Sequence, residues 1–333
     1  QVHDENFEGA AYSLSYMHNQ NIRCIDCHGA HRATLNVRSN ALCLRCHENG
    51  IGNKIAIDEQ AHGHHQPGTP GSFCYDCHMP QTAYMQRHLR RDHGMTVPDP
   101  VLTREHGIPN ACNRCHTDQS VDWAVETVGR WYGKRMDRST RTRARLLARL
   151  KASDLSAAPE LIPLLETEPN ESWRAVQARF LSVAVHDAAL HASVTAALMK
   201  LFDDPSPLVQ AAAIDALEII MEPQSPWPEA EAIADRVRSL LGSTSRLVRV
   251  KAAWALRHRR PWDSPASGTA ARQAHAELMQ MLDFNQDQPL GAFRRAQYLV
   301  DTGRASESVA WYEKAIRWDP GSAAFRHAYA MTL

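Results

Sequence analysis

Apolar positions recur at helical spacing along the last two thirds of this chain and hardly at all along the first third. Three later segments share one pattern, Arg174-Ala175-Val176-Gln177-Ala178, Val209-Gln210-Ala211-Ala212-Ala213 and Val248-Arg249-Val250-Lys251-Ala252, and each runs into an apolar helical face. Leu217 and Leu256 close equivalent helices four residues beyond Ala213 and Ala252, and Asp204-Pro205-Ser206-Pro207 makes the turn that opens the second repeat. The near-regular recurrence predicts helix pairs that stack because no pair can bury its apolar face alone.

The period is that of HEAT repeats, so residues 121–260 are expected to form HEAT-like helices. A Pro- and Ser-containing linker from Arg260 to Ala270 opens a stretch of linker and helix over 261–288. From Pro289 to Pro320, the placing of Ala296, Gly303, Ala315 and Asp319-Pro320 fits a tetratricopeptide helix-turn-helix, and Ala330 and Leu333 repeat Ala296 and Leu299 one such unit later. That makes 289–333 a TPR-like repeat, with the chain expected to stop inside the next unit.

Residues 1–120 are different. They are rich in Gly, Pro, Asn, Asp and His, and predict short helices, one from near Phe7 to His18 and others at or just after the motifs below, with few strands. The 333-residue chain has 44% hydrophobic and 22% charged residues, as soluble globular protein does, but all eight cysteines and thirteen of the eighteen histidines fall before residue 117. No apolar run is long enough to span a membrane, and no basic stripe points to nucleic acid.

The cysteines are used up by four copies of Cys-x-x-Cys-His: Cys24/Cys27/His28, Cys43/Cys46/His47, Cys74/Cys77/His78 and Cys112/Cys115/His116. In this motif the two thiols form thioethers with a haem and the histidine becomes the proximal iron ligand, so four haem c groups are expected. A zinc ribbon also fits the Cys24-x2-Cys27-x15-Cys43-x2-Cys46 spacing, but it needs no histidine after its cysteines, and the long gap between Cys77 and Cys112 breaks its spacing. Thioredoxin-like chemistry would need strand and helix to alternate around the pair. Four haems on so short a segment must form its core, and their loss should unfold it.

Formal net charge is zero, and four haems add about eight propionate charges, for which Arg23, Arg32, Arg90, Arg91 and Arg114 are candidate partners. The spacers between successive motifs are too short for independent domains and keep neighbouring rings close. Attachment of c-type haem outside the cytoplasmic membrane implies a leader in the precursor and a periplasmic or extracellular protein.

A filled sixth iron position restricts a haem to electron transfer, and an open one permits chemistry. Nine histidines remain as possible distal ligands: His3, His18, His31, His62, His64, His65, His88, His93 and His106. His31 is too close to His28 to reach across the same ring and suits a neighbour; His18 ends a helix before the first motif; His93 follows Arg90-Arg91-Asp92; one of His62, His64 and His65 is expected to ligate. Met79 and Met85 are thioether alternatives better suited to packing.

The runs CIDCHGAH (24–31), CYDCHMP (74–80), Tyr84-Met85, RRDH (90–93) and PNACNRCH (109–116) resemble bacterial multihaem cytochromes fused to repeat domains. That group is similar in its haem region to the superfamily of hydroxylamine oxidoreductase, pentahaem nitrite reductase and their tetrahaem electron-transfer partners. The resemblance implies bis-histidine ligation, with His18, His31, His65 and His93 as the distal set and His62, His64, His106 and His3 behind them. This chain departs from the pattern in Pro98-Asp99-Pro100, where Pro-Arg-Pro is expected, and in His106. Further motifs upstream of residue 1 are also expected.

The fold class is therefore a mainly α, haem-packed, loop-rich multihaem domain followed by an α-solenoid. The expected function is electron transfer through four closely spaced haems to redox protein partners, with the repeats for docking, for other cytochrome subunits or for self-assembly, filaments included. The alternatives are a redox enzyme acting on a small nitrogen or sulfur compound at a five-coordinate haem, and a structural subunit of a respiratory complex.

Overall fold

The computed structural model describes residues 8–31, 34–50, 56–84, 88–264 and 268–333. Two compact units emerge, one from Gln1–Ala157 with Thr167–Trp173, the other from Ala158–Glu166 with Arg174–Leu333.

The first unit begins with short elements: α1 (Glu8–Ser13), α2 (Tyr16–Asn19), α3 (Cys24–Cys27), α4 (Ala41–His47), α5 (Glu59–Gly63), α6 (Cys74–His78), β1 (Gln81–Tyr84), β2 (His88–Arg91), α7 (Pro100–His106) and α8 (Cys112–Cys115). The helix expected to run on to His18 is broken at Leu14-Ser15, because the buried Ser15 hydroxyl accepts the His18 N–H at 3.2 Å and caps a second helix; Phe7 and His3 lie outside the described residues. Strands β1 and β2 pair antiparallel, Gln81 opposite Arg91 and Tyr84 opposite His88.

Two longer helices follow, α9 (Val121–Tyr132) and α10 (Ser139–Lys151). Ser120 caps α9 by accepting the Trp123 N–H, and Ala124, Thr127 and Val128 form its buried stripe, at the spacing that keeps residues on one face. Helix α7 packs against both. Asp99, which caps α7 by accepting the Val101 N–H at 3.2 Å, also receives two hydrogen bonds from Arg141 of α10 at 2.7 and 3.0 Å. Before residue 117 the buried side chains are different in kind. Ala11, Pro80 and Pro100 are there the only buried apolar residues among those described, beside the polar Ser15, Asn40, Ser72, Asp92 and Asn110. This stretch has no apolar protein core of its own.

The second unit is a succession of helices: α11 (Ala158–Thr167), α12 (Glu171–Leu181), α13 (His191–Lys200), α14 (Pro207–Leu217), α15 (Ala230–Ser239), α16 (Arg246–Ala255), α17 (Thr269–Phe284), α18 (Pro289–Asp301), α19 (Ala305–Trp318) and α20 (Ala323–Thr332). Fully buried Leu161, Leu165, Leu181, Leu198, Ile214, Leu217, Ile233 and Leu256 line their shared interior. Ala178, Ala213 and Ala252, from the three repeated segments, are completely buried, which lets helix backbones approach closely. Ion pairs tie successive repeats together at one-repeat separations: Glu166 to Lys200 at 2.7 Å, Asp203 to Arg236 at 2.7 Å and Asp215 to Lys251 at 2.6 Å.

Toward the end of this unit Trp262 stacks on His275 at 4.4 Å, and the His275 Nε2 lies 2.7 Å from the Tyr298 hydroxyl. Ala292, Ala315 and Phe325 make a small core flanked by Phe293, Trp311 and Ile316. The chain is thus mainly α, a loop-rich first unit followed by helical repeats.

Candidate functional site

Each Cys-x-x-Cys pair occupies one helical turn, and residues three apart share a helix face, so the two thiols of a motif point the same way. Polar side chains shape these turns. The Asp26 carboxylate accepts the Arg23 N–H at 2.6 Å, the Asn40 amide oxygen accepts the Cys74 N–H at 2.9 Å, and the Asn110 oxygen accepts the Asn113 N–H at 3.1 Å. The following histidine closes the turn, with His28 N–H on the Cys24 carbonyl at 2.8 Å and His116 N–H on that of Cys112 at 3.0 Å.

Three motif histidines each face a second imidazole at the same distance. His28 faces His93, His78 faces His62 and His116 faces His65, all with ring centres 6.1 Å apart and planes inclined by 32°, 10° and 41°. Two imidazoles whose nitrogens each bound one iron at about 2 Å, with roughly 1 Å more back to each ring centre, would have their ring centres about 6 Å apart. The separation is thus too wide for direct stacking and right for a metal held between the rings.

The far ring nitrogens are anchored. Nδ1 of His65 lies 2.7 Å from the Gly63 carbonyl, that of His78 2.9 Å from Thr96 and that of His93 2.9 Å from Arg91. Such a bond fixes the tautomer and leaves Nε2 free for a metal. Gly71, at φ +89°, presses on the opposite side of His65: a Cβ there would lie 2.9 Å from its ring.

For His47 no imidazole is found at a comparable distance among the described residues. His18 packs edge-on against Tyr12 at 5.7 Å, His31 is exposed, His106 lies 3.8 Å from Glu105, and His64 stacks on Trp131 at 4.1 Å. The pattern of sequence could not separate His62 from His64 and His65. Two of the three find imidazole partners, because Gly63 and the left-handed His64 (φ +54°) turn the chain at the end of α5 so that His62 and His65 leave in different directions.

The motifs neighbour one another in chain order. The Cys43 thiol is hydrogen-bonded to Cys74 and pushed up by that bond and by burial, Cys27 feels Cys46, and Cys77, pushed up to about 11 mainly by burial, feels Cys112 and Cys115. Raised thiols such as Cys27, Cys43 and Cys77 are poor thiolate nucleophiles, the reverse of a thioredoxin-type centre, while Cys74 is held down by its hydrogen bond with Cys43. Burial, and then the neighbouring His78, holds His62 below its ordinary value, and burial does the same for His78, favouring the neutral imidazole that a metal requires. Among the described residues no three His, Cys, Asp or Glu side chains converge as a zinc site would require.

Two of the arginines considered for propionates are engaged elsewhere. Arg90 pairs with Glu8 at 3.0 Å, and Arg91 donates to the Tyr75 and Met79 carbonyls, pairs with Asp76 at 3.3 Å and lies over the Tyr75 ring. Arg32 lies outside the described residues. Trp123 and Tyr132 of α9, whose place just after the last motif suggests packing against the haem part, lie on the site itself: Trp123 packs on His116 at 4.9 Å and Tyr132 on His62 at 5.6 Å.

The family model described as Cytochrome c552 matches residues 59–216, a span that takes in the last two motifs, His62 to His65, His93 and α9. The chain is similar to that family there, and it is a multihaem c-type cytochrome. Such proteins carry electrons. No curated protein and no solved structure matches the chain. No helix among the described residues is long and apolar enough to cross a membrane.

Proposed function

We propose that this cytochrome carries four haems, attached through Cys24/Cys27, Cys43/Cys46, Cys74/Cys77 and Cys112/Cys115, and relays electrons between protein partners along motifs one to four. When bound, the haems supply one-electron cycling of iron between its ferric and ferrous states. The chain's own residues hold the irons six-coordinate, His28 with His93, His78 with His62 and His116 with His65, which leaves His18 and His31 as partners for His47. The observation that carries this reading is the common 6.1 Å separation of the three imidazole pairs. The thioether-bound rings supply the apolar interior that residues 8–116 lack.

The repeats of the second unit, HEAT-like and then TPR-like, serve as the surface on which partners or further copies dock, and the protein works in the periplasm or outside the cell. Low-spin electron spin resonance from every iron, with four haems per chain by pyridine haemochrome and no binding of carbon monoxide, nitrite or hydroxylamine, is the expected result. Fewer haems or several high-spin irons would overturn the relay.

A second reading, a redox enzyme for a small nitrogen or sulfur compound, rests on His47. Leu44, Glu48, Ile57, Asp58, Glu59 and Pro67 line a cavity of about 600 Å³, and Ile57 of that lining donates its N–H to the His47 carbonyl at 3.0 Å. One high-spin iron that binds such a compound and is lost with motif two is the result that favours it.

A further inference from the structure

His62, His64 and His65 lie within four residues at the end of α5, and neither residue type nor spacing says which of them enter the imidazole pairs. The last turn of α9 treats them differently. The Tyr132 hydroxyl donates to the His62 carbonyl at 2.6 Å, and its ring lies 5.6 Å from the His62 ring, inclined by 53°. Trp131, one residue earlier, stacks on His64 at 4.1 Å with planes within 15°. Tyr132 then closes over the edge of His64 at 5.9 Å.

Asp58 caps α5 by accepting the Ala61 N–H at 2.8 Å, and the helix closes with the His64 N–H on the Gln60 carbonyl at 3.2 Å, His64 taking φ +54°, a region uncommon for a residue with a Cβ. The aromatic pair on α9 packs against that turn. Stacked rings prefer this offset parallel approach, and the hydroxyl bond fixes the height of the His62 backbone relative to α9.

We propose that Trp131 and Tyr132 are positioning residues that sort the three histidines, Tyr132 setting His62 opposite His78 and Trp131 holding His64 out of both pairs. The proposal rests on the bis-histidine reading above. With Trp131 absent, His64 competes with its neighbours for a sixth position; with Tyr132 absent, His62 loses the contact that fixes its approach.

The test compares variants of the full-length, haem-loaded protein by low-temperature electron spin resonance and by carbon monoxide binding to the reduced form. His62→Ala is the control for the underlying reading: one high-spin iron and about one bound carbon monoxide per chain are expected, and an unchanged spectrum would reject the ligand assignment itself. Given that control, Tyr132→Ala should bind carbon monoxide at a substantial fraction of one site, and Tyr132→Phe, which keeps the ring, should shift the low-spin signal of one haem without opening it. Trp131→Ala should split or broaden the low-spin signals of one or two haems, and the double variant Trp131→Ala/His64→Ala should restore a single set. His64→Ala alone should match the wild type. If His62→Ala opens a site while Tyr132→Phe and Trp131→Ala both match the wild type, the sorting role is wrong and the ligand reading stands. Splitting in Trp131→Ala that persists without His64 also rejects it. Should Tyr132→Ala fail to accumulate with haem, Tyr132→Phe and Trp131→Ala decide.

Discussion

His93 lies with its ring centre 6.1 Å from that of His28, although 65 residues of sequence separate the two. The strand pair folds the chain back on itself just before His93, and Arg90 of β2 pairs with Glu8 of α1, ahead of the first motif. Asp92, buried at the exit of β2, donates its N–H to the Pro80 carbonyl at 3.0 Å and accepts the Gly94 N–H at 2.7 Å, and the turn between holds His93 outward. His93→Ala is therefore expected to leave haem attachment intact by mass, and to convert one low-spin iron to high-spin, with about one carbon monoxide bound per reduced chain.

Gly71→Val combines two penalties, a positive φ that a β-branched residue resists and a side chain driven into the His65 ring. His65 should leave His116. The measurement is again spin state, and the change should fall on the haem of the fourth motif, identified by comparison with His65→Ala.

Arg141→Ala removes both hydrogen bonds to Asp99, a carboxylate whose side chain is 10% exposed. Asp99 keeps only its bond to the first turn of α7, so the cost should be about 2–4 kcal/mol, read as a lower midpoint in chemical denaturation of the first unit. Asp99→Asn, which keeps the cap, should lose less.

How far the chain could be read in advance follows from the range of the interactions involved. Ala178, Ala213 and Ala252 repeat along the sequence because each sits at the same helix crossing, so the stacked helices of the second unit were legible in spacing alone. The one-turn geometry of each cysteine pair is equally local. The partnering of histidines is not: His93 meets His28 across 65 residues of sequence, and His62 and His65 part where the backbone at His64 turns left-handed, and neither leaves a periodic trace. The break at Ser15 was hidden for a simpler reason, since Ser is tolerated inside a helix and becomes a cap only when its hydroxyl finds the His18 N–H.

In the second unit Gly291 stands where a Cβ would come within 1.7 Å of the Asn285 carbonyl oxygen. Even Gly291→Ala must push α18 away from the turn before it. A loss of at least about 2 kcal/mol is expected, seen as an earlier helical unfolding transition in urea.

Burial holds His275 below its ordinary value, between Trp262 and the Tyr298 hydroxyl. The unfolded chain takes up the proton first as pH falls, so this residue's contribution is complete above the ordinary histidine value of about 6.5 and is lost below it. The thermal midpoint of the second unit should drop between pH 7.5 and 5.5, and His275→Gln should make that drop shallower.

His62 and His65 hang from the same few residues of backbone, yet they reach toward two different motifs. A small rotation of that segment cannot improve one contact without disturbing the other. The two pairs therefore share a single mechanical hinge: were irons held in both, the seating of one would set the angle at which the other is received, with only Gly63 and His64 between them.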